Sequence, residues 1–245
     1  MSVYRIFLAG AAGAIGRRLT PLLLQAGHSV VGTTRTAAKA QMLQALGVEP
    51  VVVDVFDAAA LMKAVRAARP EIVIHQLTDL PKDLNPAEMP EGIIRNARLR
   101  KEGTRNLVAA ALEAGARRLI SQSIVWVYAP GPEPHAESDP IDPDQTGVIA
   151  LEELTLNSPP LEGVVLRYGQ LYGPGTHAAQ GLGSMPVHVD AAAYAALLAI
   201  DHGKPGIYNV AQPNTHVTTT KVSAELGWNA DFRLADFSES SGEIA

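Results

Sequence analysis

Residues 3–19 read VYRIFLAGAAGAIGRRL, from Val3 to Leu19. The apolar run from Val3 to Ala9 is too short for a helix and is closed by glycine, which predicts a buried strand. Beyond Gly13, Ile15, Leu19 and Leu22 to Leu24 recur on one side and predict a helix. Pro21 falls inside that helix and removes one hydrogen bond, so a bend or an exposed, tolerated proline is expected there. Strand, glycine turn and helix together make a phosphate site: backbone N–H groups approach the anion and the helix N-terminus adds unpaired donors and a favourable dipole. Gly10, Gly13 and Gly16 follow a Gly-x-x-Gly-x-x-Gly spacing rather than Gly-x-Gly-x-x-Gly. A structural tight turn explains such a triplet too, but its place between an N-terminal strand and a helix favours a dinucleotide pyrophosphate.

Outward from this unit, strand and helix signals alternate, which predicts an α/β chain with a doubly wound parallel sheet covered on both faces. Strands are predicted at 29–33, 51–53, 71–76, 118–121, 163–167 and 206–210, and helices at 37–46, 58–68, 93–114, 148–156, 190–199 and 218–226. Two proline-bearing stretches, Leu80 to Pro90 and Ala129 to Asp144, read as loops, the second over the carboxyl ends of the strands. A glycine- and alanine-rich loop is expected from Thr176 to Met185, and a disordered polar tail from Ser238. The organisation expected is a nucleotide-binding domain over 1–175 and a reduced substrate-side segment over 176–245 that partly returns to the sheet.

The composition bounds the rest. A chain of 245 residues, 47% hydrophobic and 18% charged, suits a soluble globular protein with a sizeable core. There is no cysteine, hence no disulfide framework and no thiolate nucleophile or metal site, and no metal is expected. A formal charge of -5 argues against a nucleic-acid partner. No apolar segment is long enough to cross a membrane, and the chain enters a strand at once, so cytoplasmic location is the expectation.

Positions after the second strand bear on which dinucleotide is held. NAD binders place an acid there for the ribose hydroxyls, whereas a 2′-phosphate needs positive charge. Between Gly16 and Glu49 there is no Asp or Glu, and Thr33, Thr34 and Arg35 stand where the acid belongs. An Arg fork with neighbouring hydroxyls suits a phosphate dianion, so NADP is favoured over NAD, although Arg35 also fits a plain surface loop. Asp54 is placed to accept from an adenine amino group or to cap the next helix, a role for which Asp57 competes better.

These residues resemble the extended and atypical short-chain dehydrogenase/reductases, the NAD(P)-dependent epimerase/dehydratase-like group with a Rossmann fold. The resemblance rests on LAGAAGAIG, VDVFD, IVIHQLT, EGTRNLVAAALEAGARRLISQS, VWVYAPG, VVLRYGQLYGPG and HVDAAAYAALLA in that order, and covers Met1 to about Gly175. It implies that Gly10, Gly13 and Gly16, with the backbone of Ala14 and Ile15, hold the pyrophosphate. It likewise places Thr34 and Arg35 on the 2′-phosphate, and Asp54 and Val55 on the adenine. Gln76, Leu77 and Thr78 match the loop passing the ribose and nicotinamide, and Tyr168, Gly169 and Gln170 lie beside the nicotinamide amide. Ser123 matches the serine that bonds the reacting oxygen, and a strand-end hydroxyl tied to nearby backbone is the alternative. The helices 93–114 and 148–156 match surfaces through which relatives pair, so a homodimer is an expectation.

The chemistry of that group needs a Tyr with a Lys four residues on, the ammonium lowering the phenol's pKa. None of the tyrosines here is followed by Lys at that spacing, and Thr146 and Ala150 fall near the expected places. Tyr128 and His75 are the substitutes with a catalytic reading, beside structural readings as a packed phenol and a buried, hydrogen-bonded imidazole. His135 and His188 are weaker candidates. The short segment from His177 to Met185 predicts a small or open pocket for a small-molecule substrate. Two functions follow: an NADP(H)-dependent oxidoreductase acting on a small carbonyl or alcohol, or a catalytically silent dinucleotide sensor.

Overall fold

A computed structural model describes residues 2–234; the polar tail expected from Ser238 lies outside the described residues. The strands are β1 (Arg5–Ala9), β2 (Ser29–Thr34), β3 (Glu49–Val52), β4 (Ile72–His75), β5 (Arg118–Ile124), β6 (Glu162–Tyr168), β7 (Gln170–Tyr172), β8 (Pro186–His188) and β9 (Gly206–Val210). The helices are α1 (Ala14–Gln25), α2 (Ala37–Ala45), α3 (Ala58–Ala68), α4 (Met89–Arg98), α5 (Thr104–Glu113), α6 (Thr146–Leu156), α7 (Val189–Leu198) and α8 (Thr220–Leu226). Seven strands form one parallel sheet in the order β3-β2-β1-β4-β5-β6-β9, the doubly wound arrangement predicted from the alternation.

Strand residues alternate between two cores, as the two-residue period of a strand requires. Ile6, Leu8, Ile72 and Ile74 pack with Leu19, Leu23 and Ala195 on one face. Phe7, Val73 and Leu119 pack with Leu61, Val65 and Leu107 on the other. Burial on both faces is why these strands read as continuous apolar runs. Helix α3 starts at Asp57, whose carboxylate accepts from the Ala60 N–H at 3.0 Å. Helix α1 runs through the half-buried Pro21 without ending.

Three features differ from the prediction. Pro90 was expected in a loop, yet it sits in the first turn of α4, where a missing N–H removes no helical bond. The single predicted helix 93–114 is divided by a wide turn, Leu99–Gly103, with π-type bonding between α4 and α5. Strands β7 and β8 form a separate parallel pair of three residues each, too short to show a period in sequence.

The strand order reverses between β1 and β4, and this crevice is where such sheets bind ligands. Gly10 there has φ of +91°, and a Cβ on it would stand 2.8 Å from the Gln76 carbonyl oxygen. A Cβ on Gly16 would stand 2.3 Å from the Gly10 carbonyl oxygen. Both positions therefore require glycine. Behind them, the fully buried His75 accepts the Leu77 N–H at Nδ1 (3.2 Å), which leaves the proton on Nε2 facing Thr104 Oγ1 at 3.0 Å. Burial, reinforced by the Arg100 charge, lowers His75 to about 4.

Two outcomes follow. Gly16→Ala should destabilise the fold by about 1–3 kcal/mol in urea unfolding, because its methyl meets rigid backbone. His75 binds its proton near 6.5 when unfolded but only near 4 when folded, so the unfolded chain holds more protons between those values and stability falls as pH drops through them. The contribution, on the order of 3 kcal/mol, is complete above the unfolded value. Urea midpoints across this range should fall more steeply for the native chain than for His75→Asn.

Candidate functional site

The crevice at the strand reversal is a groove with two lobes, of about 220 and 550 Å3, that share Gly13, Gln76 and Thr78. Helix α1 opens onto it at Gly13 with no side-chain cap and no acid in its first turn, leaving N–H donors for an anion. The Gln76 amide is buried with both its oxygen and its nitrogen unpartnered. An absent Cβ at Gly10, a bare helix terminus and an orphaned amide are what a dinucleotide backbone would fill and satisfy. The donor set therefore fits the group.

The smaller lobe gathers Gly10, Thr34, Arg35, Asp54, Val55, Leu77 and Thr78. Asp54 Oδ1 accepts the Phe56 N–H at 2.9 Å, while Asp57 rather than Asp54 caps α3. Arg35 is 65% exposed and reaches across the lobe to Asp79 at 3.7 Å. Asp79 also has Arg95 at 3.9 Å and the Asn96 amide oxygen on its N–H, so the loop keeps partners if Arg35 turns to a ligand. Lys39, Thr36 and Phe56 line this lobe as well and were not singled out from sequence. Lys39 lies one turn into α2 with Thr36 as its N-cap, so the run Thr34, Arg35, Thr36, Lys39 was the available signal.

Ala14, Ile15, Ser123, Tyr168, Gly169 and Gln170 line the larger lobe. Gly16 contributes by close packing instead, beneath the turn. Ser123 is buried, and its hydroxyl donates to Glu152 Oε1 at 2.7 Å. The same carboxylate takes Arg167 through a fork, Nε at 2.9 Å and Nη2 at 2.7 Å. Glu152 and Arg167 are both almost fully buried, so each depends on the other to offset lost hydration. Sequence reading missed this pair. Tyr168 is buried beside Gln76, and burial pushes the phenol well above its usual range against the pull of the Gln76 amide.

The geometry does not bring the two substitute proton donors to the groove. His75 lines neither lobe, and both its ring nitrogens are engaged inside the core. Tyr128 donates to Asn209 Oδ1 at 2.6 Å, stacks on His135 with centroids 4.8 Å apart and carries the Arg167 guanidinium over its ring. Burial pushes its phenol up, against the pull of Arg167 and Asn209. His188 caps α7, accepting the Asp190 N–H at 3.2 Å. Thr146 and Ala150 on α6 do not line the groove either. What enters in their stead is Arg100, from the wide turn between α4 and α5. Burial lowers its guanidinium to about 10, with the Glu152 charge opposing. Trp126 and His177 complete the outer wall.

No group of three or more His, Asp or Glu among the described residues could hold a metal ion. Among them, too, no helix is long and apolar enough to cross a membrane.

Comparison with known proteins follows the same lines. The chain is 40% identical over 235 residues to the 3-diazoavenalumate denitrifying reductase of a Streptomyces species, covering 84% of this chain and 75% of that protein. It is 30% identical over 175 residues to the dTDP-4-dehydrorhamnose reductase of Streptomyces griseus, covering 70% of this chain and 51% of that protein. Among solved structures, the Bordetella bronchiseptica enzyme WbmG in complex with NAD and UDP superposes with a TM-score of 0.76 at 21% identity, over 95% of this chain and 91% of that one. UDP-glucose 4-epimerase of Thermotoga maritima with UDP-glucose gives a TM-score of 0.77 at 19% identity, over 93% and 94%. At these identities the structures show a shared fold. The model of the NAD dependent epimerase/dehydratase family matches residues 6–187, and the chain belongs to that family.

Proposed function

We propose that this chain is an NADPH-dependent reductase whose small acceptor takes hydride without receiving a proton from the protein. The observation that carries this reading is the direction of the Ser123 proton. It points at Glu152, so Ser123 presents lone pairs to the larger lobe rather than a donor. A carbonyl gathers negative charge on oxygen as it is reduced and needs donors aimed at that oxygen. Ser123 offers no such donor. The arrangement suits an acceptor that is electron-poor at the start and neutral afterwards.

A diazo-type acceptor meets this requirement. Replacing the C–N bond of an arenediazonium by C–H uses one hydride, releases dinitrogen and consumes no proton. The 3-diazoavenalumate denitrifying reductase, similar over most of this chain, is named for a substrate of that kind. When bound, the reduced nicotinamide would supply the hydride. Gly10, Gly13 and the start of α1 would hold its pyrophosphate, Asp54 and Val55 its adenine, and Gln76 to Thr78 the ribose and nicotinamide. Arg35, Lys39 and the hydroxyls of Thr34 and Thr36 would take the 2′-phosphate, which supports NADP over NAD. Ile93 and Ile94, exposed on α4, support the expected pairing of two copies through that helix.

Carbonyl reduction is the second reading, because the His177 imidazole stands on the wall of the larger lobe. One assay separates them: NADPH oxidation with an arenediazonium, or with small ketones and aldehydes, using NADPH deuterated on either face. Arene labelled from one face only, above the uncatalysed rate, is expected. Ketone turnover abolished in His177→Ala would replace this reading by the second. Tight NADPH binding with no turnover of any acceptor would make the protein a cofactor sensor. For cofactor choice, Arg35→Ala should weaken NADPH binding about 10-fold or more and leave NADH nearly unchanged by calorimetry. Equal losses would exclude the 2′-phosphate role.

A further inference from the structure

Arg100 is a cation on the wall of the larger lobe, which Asp83 also lines. The Glu152 charge acts on it, but the two oxygens of that carboxylate already carry Arg167 and Ser123. Two guanidinium groups therefore share the neighbourhood of one saturated carboxylate, and the one with donors to spare faces the cleft. A desolvated guanidinium without a partner is costly, and its planar fork matches a carboxylate. The walls around it are apolar: Leu80, Trp126 and Leu182 are 37%, 45% and 57% exposed, and all three open onto this same lobe. Large apolar side chains left uncovered inside one cleft mark a ligand surface.

We infer that the larger lobe receives a flat, apolar carboxylic acid, its carboxylate held by Arg100 and its body covered by Trp126, Leu80 and Leu182. The inference rests on the reductase reading in taking this lobe as the acceptor's site, and it adds the acceptor's class. A fixed anion at Arg100 also sets the distance from the carboxylate at which the reacting atom must stand to reach Ser123. Acids of different length then differ in turnover more than in binding.

The test uses binding rather than turnover. With saturating NADP+, calorimetry compares cinnamate with cinnamamide, which keeps the shape and removes the charge. Cinnamate is expected to bind about 10-fold or more tighter. Arg100→Met should erase that preference and leave NADP+ affinity unchanged, whereas Arg100→Lys, which keeps the charge, should retain part of it. Trp126→Ala should weaken acid and amide alike. Equal binding of the two probes by the native protein, or a preference that survives Arg100→Met, overturns the assignment. So does a loss of NADP+ affinity in its place, since Arg100 would then serve the cofactor. An intact acid preference in a protein that turns over no diazonium or carbonyl compound would remove the reductase reading and support the anion site.

Discussion

Three backbone segments meet without side chains between them: the end of β1, the start of α1 and the end of β4. Gly10 and Gly16 permit this, since a Cβ on either would lie within 2.8 Å of a carbonyl oxygen. The contact fixes where the strand order reverses and holds the bare N-terminus of α1 above the crevice. It also buries the Gln76 amide, with only the Tyr168 hydroxyl beside it. A buried amide left unpaired costs about 1–3 kcal/mol, and a ligand with complementary donors and acceptors relieves that cost. The groove's shape and the burial of that amide thus have one steric origin.

The second organising contact is the carboxylate of Glu152, clamped by Arg167 and bonded by Ser123. It joins α6 to the ends of β5 and β6, and Arg167 in turn braces Tyr128, which is stacked against His135. Helix α6 is anchored on its other side by Gly147, which lies so close to α4 that a Cβ there would stand 3.0 Å from the Ala97 Cα. The helix is held by packing, by that ion pair and by hydrogen bonds to Ser123 and Ser121, and it projects nothing into the groove. Electrostatics at the larger lobe are therefore set from behind: a masked carboxylate, a serine facing the ligand through its lone pairs and one guanidinium at the wall.

Much of the fold was legible because its rules are local. The β1 run, the glycine spacing and the apolar side of α1 state a strand, a turn and a helix within the first 25 residues. Helix α3 matched over its whole length, since Asp57 supplies a cap signal beside an apolar stripe. The small lobe was also legible, because Arg35 and Asp54 sit at strand ends whose positions follow from the strands themselves. Lys39 was passed over because a lysine on a short, weakly amphipathic helix carries no local sign of lining a groove.

What sequence alone determined, then, was the element order, the glycine turn between β1 and α1 and the absence of a Tyr with Lys four residues on, all written in neighbouring residues and their periods. Only the tertiary structure decided which side chains converge. Ser123 meets Glu152 across 29 positions, Tyr128 meets Asn209 across 81, and Arg100 turns into the groove from a wide helical turn with no sequence period of its own. Pairings of that span depend on how elements stack in space, and nothing in a residue's immediate neighbours encodes them.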